Sequence, residues 1–374
     1  MKRLLVICSL GAMLAATLHA DVTVSLSPSV QNSARGREIV FNGTITNTGP
    51  SKVYLNDIAS SLIVGSGADL PLKPNSFFAN VPGVLLPGEA YMDSELFRVA
   101  LTSSAPTSDY RGTVTVRGGG DIFANGDLAS VGFAVLSPAV DAAATDASAS
   151  EFGPDPGLYT ISRTGGTDIA LVVPLAMSGS AIAGSDYEAL PSSAVIPAGS
   201  SSVGITLLPV PNNIAQGDRL AQLTITASSS YNFGTSVTSS ITIHDKPADA
   251  WRFSYFGANA NDAAAADDAD WDHDGIANLL EFALGSDPTN GGASNLPMVA
   301  RAGDSLLLRF VPNAAALDVN FVVEGSSDLL NWSASNAEFV PYANPGSTVT
   351  YRYKGPITTS SRGFLRLRVL RTDL

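Results

Sequence analysis

The residues best equipped for chemistry lie between positions 270 and 281, where the chain reads Asp-Trp-Asp-His-Asp-Gly-Ile-Ala-Asn-Leu-Leu-Glu. Carboxylates recur at Asp270, Asp272 and Asp274, Gly275 follows, and Asn278 and Glu281 stand ninth and twelfth. This is the spacing of a twelve-residue loop that wraps one hard cation. Alternation lets three carboxylates converge as the chain curls, and Gly275 permits the positive φ that reverses it without a Cβ clash. The Ile276 carbonyl supplies a backbone oxygen, Asn278 acts directly or through water, and Glu281 closes the shell with both oxygens. Close carboxylates repel by on the order of 1 kcal/mol per pair even in a wet site, so the loop favours a bound cation. Ca2+ is the expected ion, because the smaller octahedral shell of Mg2+ suits such a flexible loop poorly. A solvated acidic linker is the alternative. His273 falls where the side chain points outward.

The elements around the loop must hold Glu281 against the three aspartates. Leu279, Leu280, Phe282 and Ala283 predict a short helix over residues 278–284 with Gly285 as its cap. The flanks, Trp251-Arg252-Phe253-Ser254-Tyr255-Phe256-Gly257 and Gly285-Ser286-Asp287-Pro288, resemble the single EF-hand-like calcium loops of secreted bacterial proteins, similar to dockerin and thrombospondin type 3 repeats. That resemblance implies Asp287 as a minor candidate ligand, with turn formation as its default role. Dockerin modules carry two loops, so one loop argues against docking of that kind. Trp251 and Phe256 read as packing anchors.

Residues 138–246 carry a second resemblance. Ser150-Glu151, the run from Tyr159 to Gly165, Gly184-Ser185-Asp186-Tyr187, Ile196-Pro197-Ala198-Gly199 and Ile241-Thr242-Ile243-His244-Asp245 follow one another as in a Calx-beta domain. The resemblance implies a seven-stranded immunoglobulin-like sandwich that in some members binds calcium at one end. Glu151, Asp186 and Asp245 stand at the family's acidic positions and form a weak second candidate site. The family's acidic stretch is replaced here by Pro211-Asn212-Asn213-Ile214-Ala215-Gln216-Gly217-Asp218-Arg219. Up to four carboxylates are lost and a guanidinium is brought near, which weakens any cation site.

Elsewhere period-two alternation dominates, as in Val22, Val24 and Leu26, in Val114 and Val116, and in Leu365, Leu367 and Val369. Such strands, separated by Gly, Pro, Asn and Ser clusters, predict an all-β fold of tandem immunoglobulin-like β-sandwiches with a short helical calcium-loop connector. The expected division is a sandwich over 21–137, the Calx-beta-like sandwich over 138–246, the connector over 247–292 and a C-terminal sandwich over 293–374. The first unit resembles the immunoglobulin-like modules of secreted bacterial proteins. In it, residues 38–47 and 54–56 read as paired strands joined by a turn at 48–51, and Gly118-Gly119-Gly120 as a hairpin tip. In the last, residues 321–332 read as a strand, a turn and a buried Trp332. A modest basic edge of Arg362, Arg366, Arg368 and Arg371 is either the wet face of an edge strand or a surface facing acidic groups.

Residues 1–20 read as an export signal, with Lys2 and Arg3 ahead of an apolar core and a small residue at Ala20. The single cysteine, Cys8, lies inside it, so disulfides and thiolate metal sites are excluded from the mature chain. No later run of about 20 apolar residues predicts a transmembrane segment. With 34 acids against 21 bases and a formal charge of −13, nucleic acid and anionic lipid are poor partners. Outside the signal only His244 and His273 remain, and no nucleophile elbow, zinc-protease helix or phosphate loop is present. These features predict a secreted or cell-surface, non-enzymatic, calcium-binding modular protein of structural or adhesive role. Its expected partners are calcium and an extracellular protein or polysaccharide, with the bound loop ordering the Ala-rich connector. The alternatives are a polysaccharide-binding accessory protein and, further off, a hydrolase with an unrecognised carboxylate site.

Overall fold

A computed structural model describes residues 22–64, 72–73, 75–292, 295–340, 348–355, 357 and 362–372. The expected export signal, Cys8 included, lies outside the described residues. The fold is all-β: sandwiches in series, with two short helices beside the 270–281 loop.

The first sandwich comprises β1 (Val22–Leu26), β2 (Val30–Asn32), β3 (Arg37–Asn47), β4 (Val53–Val64), β5 (Leu72–Lys73), β6 (Val84–Leu85), β7 (Ala90–Leu101), β8 (Asp109–Gly119) and β9 (Gly126–Leu136). A helical turn, α1 (Asn75–Asn80), follows β5. The sheets run β1-β3-β7-β5 and β2-β9-β8-β4-β6. Alternation puts Phe41, Phe97 and Phe133 between them, Phe41 stacked on Phe97 at 4.9 Å and Phe133 edge-on to Phe97 at 5.1 Å. The expected hairpin of β3 with β4 does not form. β3 pairs with β1 and β7, whereas β4 pairs with β6 and β8. Asn47 explains the crossing: its Oδ1 accepts from Gly49 N–H while Nδ2 donates to Ser51 O and Leu85 O, turning the chain from one sheet to the other. β8 and β9 do form the expected hairpin, Gly118 opposite Gly126.

The second sandwich contains β10 (Ala139–Asp146), β11 (Ser148–Ser150), β12 (Gly157–Arg163), β13 (Leu171–Gly179), β14 (Ser193–Ile196), β15 (Ser202–Leu207), β16 (Arg219–Ile225), β17 (Asn232–Phe233) and β18 (Thr238–His244). Its sheets run β15-β12-β10-β17 and β11-β18-β16-β13-β14. Between them are buried Tyr159, Ile161, Val173, Leu223 and Ile241, and the Tyr159 hydroxyl donates to Ala221 O at 2.7 Å. Direct hydrogen bonds tie this unit to the first: Ala34 N–H to Ser229 O, Gly166 N–H to Asp109 Oδ1, and Arg111 to Asp168, each at 2.7 Å.

The last unit has β19 (Met298–Ala302), β20 (Ser305–Phe310), β21 (Val319–Ser326), β22 (Ala337–Phe339), β23 (Val349–Tyr353) and β24 (Phe364–Arg371). They form the sheets β19-β20-β23-β22 and β21-β24. Two helices precede them, α2 (Pro247–Phe256) and α3 (Asn278–Leu284). The helix predicted over 278–284 is present with those bounds, and Gly285 caps it at φ 74°. α2 was not predicted; Pro247 sits at its first position, where the missing N–H costs nothing. Both helices are built into the last unit, since Ala248, Phe282 and Ala283 share a core with Ala316 and Val319. Trp332 is half-buried at the surface rather than in the core, under the Arg366 guanidinium at 4.4 Å. The reason is local: Leu329 turns at φ 63° and accepts the indole N–H on its carbonyl, holding the ring beside the strands. Among the described residues, no helix is long and apolar enough to cross a membrane.

Candidate metal centre

Backbone amides wind the 270–281 loop around its own carboxylates. Asp274 N–H donates to Asp270 Oδ1 and Asp272 Oδ1, Gly275 N–H to Asp270 Oδ2 at 2.8 Å, and Ile276 N–H to Asp274 Oδ1 at 2.9 Å. Gly275 has φ 92°, which a side chain would strain. One oxygen from each of Asp270, Asp272 and Asp274 lies within 4.8 Å of the other two.

Glu281, on the first turn of α3, is 1% exposed. Its Oε2, with Asp272 Oδ2 and Asp274 Oδ2, is buried without a hydrogen-bond partner. Orphaned buried carboxylate oxygens are expensive. Burial first, then the charges of Asp272, Asp274, Asp270 and Asp287, push the Glu281 carboxyl up to about 7. An all-oxygen set with buried, unpartnered anionic atoms suits a hard divalent cation, which removes repulsion and orphaned acceptors together. Asp287 faces this cluster electrostatically, but its Oδ1 accepts from the N–H and Oγ1 of Thr289.

Asn278 is placed differently from a direct ligand. It is 1% exposed; Nδ2 donates to Ala264 O and Ala266 O at 2.9 and 2.8 Å, and Oδ1 accepts from Trp271 N–H at 3.3 Å. Its amide therefore bolts the Ala-rich stretch to the loop, and Leu279 N–H to Asp267 O adds a second tie. His273 is exposed at φ 63°.

Sequence reasoning missed the ion cluster behind the loop. Arg252, 1% exposed on α2, donates to Asp249 Oδ1 at 2.7 Å and Asp267 Oδ1 at 2.8 Å. Arg371 on β24 reaches the same two acids at 3.0 and 2.7 Å. Burial pushes Asp267 up, but Arg371 and Arg252 outweigh it and hold the carboxyl below its usual range. The available signal was the spacing of Asp249 and Arg252, three apart on one helical face. Arg371 thus faces acidic groups, whereas Arg366 and Arg368 pair with Glu324 on their own sheet and Arg362 is exposed.

The weak second candidates share one end of the second sandwich, near enough to feel one another's charge, but their carboxylate oxygens are not gathered within 4.8 Å as those of the loop aspartates are. Glu151, Asp186 and Asp245 are 2%, 2% and 6% exposed. Protein donors already occupy them. Glu151 accepts from Asn212 N–H and Nδ2, Asp186 from Ile182 N–H and Gln216 Nε2, and Asp245 from Gln216 and Gly217 N–H. Burial raises Glu151 to about 7, with Asp245 and Asp186 adding to the rise. The same apex loop meets the connector: Ala215 N–H donates to Asn259 O at 3.0 Å, and the Phe253 ring packs on Gly217, where a Cβ would lie 3.0 Å from it.

No family model matches the chain, and no curated protein matches it. Solved structures similar to it include the apo-form Calx CBD1 domain, at 13% identity over 29% of this chain and 97% of that one, with a TM-score of 0.26. A CBD12 structure from CALX1.2 is 11% identical over 55% and 72% of the two chains, with a TM-score of 0.28. Invasin, a bacterial integrin-binding protein, is 12% identical over 93% of this chain and 56% of its own, with a TM-score of 0.25. The fold therefore stands on the strand pairing described above.

Proposed function

We propose that the chain is a secreted or cell-surface, non-enzymatic modular protein in which one Ca2+ locks the 270–281 loop and, through it, the connector onto the last sandwich. Asp270, Asp272, Asp274 and Glu281 provide the carboxylates and Ile276 the carbonyl, while Asn278 serves as the bracket that transmits loop closure to residues 264–266. The observation that supports this most is the set of buried, unpartnered oxygens on Asp272, Asp274 and Glu281. Three gathered aspartates with Glu281 beside them suit the range of extracellular calcium modules. The apex of the second sandwich is the poorer candidate, because Glu151, Asp186 and Asp245 already accept hydrogen bonds from Asn212, Ile182, Gln216 and Gly217. The physical role is to hold sandwiches in fixed order at a surface, as a structural or adhesive protein requires.

Calorimetric titration of the full chain with CaCl2 tests the proposal. One dominant site is expected, retained in Glu151→Gln and lost in Asp270→Ala. Undiminished binding heats in Asp270→Ala would refute it.

A further inference from the structure

Outside the carboxylate cluster, the same loop carries the exposed aromatic Trp271. Its indole stacks on Phe256 with centroids 4.6 Å apart and planes 26° from parallel, so one face is backed while the residue stays 40% exposed. Tyr255, 41% exposed, flanks Phe256 on α2 at 6.4 Å and leans on Trp251 at 5.2 Å. Neither the indole N–H of Trp271 nor the Tyr255 hydroxyl has a hydrogen-bond partner among the described residues. Both rings lie against Phe256, and amphipathic rings of this kind, backed by packed aromatics and with unused polar tips, suit flat, partly apolar, hydroxyl-rich ligands. The backing matters because little side-chain freedom remains to be lost on binding.

We propose that Trp271 and Tyr255 are a stacking platform for a neutral polysaccharide chain, whose sugar rings lay their C–H faces on the two aromatics. Charge chooses the polymer class: the chain carries a net −13, so an anionic polymer is repelled. The exposed His273 offers a further hydroxyl partner two residues on. The backbone N–H of Trp271 donates to Asn278 Oδ1 inside the loop, so the ring's placement depends on loop closure. In that dependence alone the proposal rests on the calcium reading.

Affinity electrophoresis of the full chain through gels containing laminarin, xyloglucan, dextran or soluble chitin oligosaccharide, with alginate as the anionic control, tests it. At least one neutral glycan should retard the wild type. Trp271→Ala should weaken binding about tenfold or more, Tyr255→Ala less, and both should keep wild-type calcium affinity by calorimetry. Retardation should fall in EDTA. If no neutral glycan retards the chain, if alginate alone does, or if Trp271→Ala retains binding, the platform is overturned. It is equally overturned if Trp271→Ala loses calcium and glycan together, since the ring then acts only through the loop. A wild type that binds no calcium yet shows Trp271-dependent retardation would remove the calcium reading and leave the platform standing.

Discussion

At Glu281 burial and repulsion act on one carboxyl, and a proton or a cation relieves both. The Gln substitution separates the two solutions. In Glu281→Gln the buried charge and its repulsion with Asp272, Asp274 and Asp270 are removed, so the metal-free last sandwich should melt about 2–4 °C higher. The same change removes one charge and the bidentate closure, so calcium affinity should fall at least about tenfold. Calorimetry in EDTA and with CaCl2 reads both signs, and a parallel change in the two would count against the site. Glu151 offers a pH test in the second sandwich. Its folded carboxyl titrates at about 7 against an ordinary 4.5, so between those values the folded chain holds a proton that the unfolded chain releases. That group's contribution is therefore fully present below the lower value, declines as pH rises, and is lost above about 7. Asp245, also raised by burial, acts in the same direction. The melting difference between pH 5 and pH 8 should shrink in Glu151→Gln; an unchanged difference would assign the slope elsewhere.

Among elements, α2 bears most on the joint and was the least legible. The loop and α3 could be read because ligand spacing, the glycine and the apolar positions all depend on local chain geometry. α2 is only ten residues long, and its stabilising partners, Asp267 and Arg371, are distant in sequence. Helices so short draw their stability from tertiary packing. The β3–β4 error has the same origin: alternation shows that each segment is a strand, but Asn47 and its reach to Leu85 decide which sheet receives it. At the apex the acids were recognised, while the compensating amides of Asn212 and Gln216 read merely as losses. Removing the buried cation should be costly: Arg252→Ala leaves Arg371 as the one ion-pair partner, among the described residues, of both Asp249 and Asp267, and about 3 kcal/mol of the last unit's stability should disappear in urea unfolding. A loss below 1 kcal/mol would show that solvent reaches the cluster.

Across the whole molecule, the two joints are held by different means. The first depends on direct polar contacts centred on Asn232, whose Oδ1 accepts from Arg35 and whose Nδ2 donates to Ser137 Oγ and Pro138 O. Small-angle scattering should be indifferent to calcium at this joint, and Asn232→Ala should broaden the distance distribution in EDTA and in CaCl2 alike. The second joint combines Pro247 and α2, the apex contacts at Gly217 and Asn259, and the loop that secures residues 264–266. The Ala-rich stretch is already tied by named hydrogen bonds, so calcium is expected to lengthen the lifetime of those ties rather than to create a new arrangement. Hydrogen exchange of the full chain in EDTA and in saturating CaCl2 tests this most directly. The amides of Asp274, Gly275, Ile276 and Asn278 should slow together with calcium, along with the Ala265 and Ala266 amides beside them. Identical exchange in the two buffers across residues 264–281 would contradict the account.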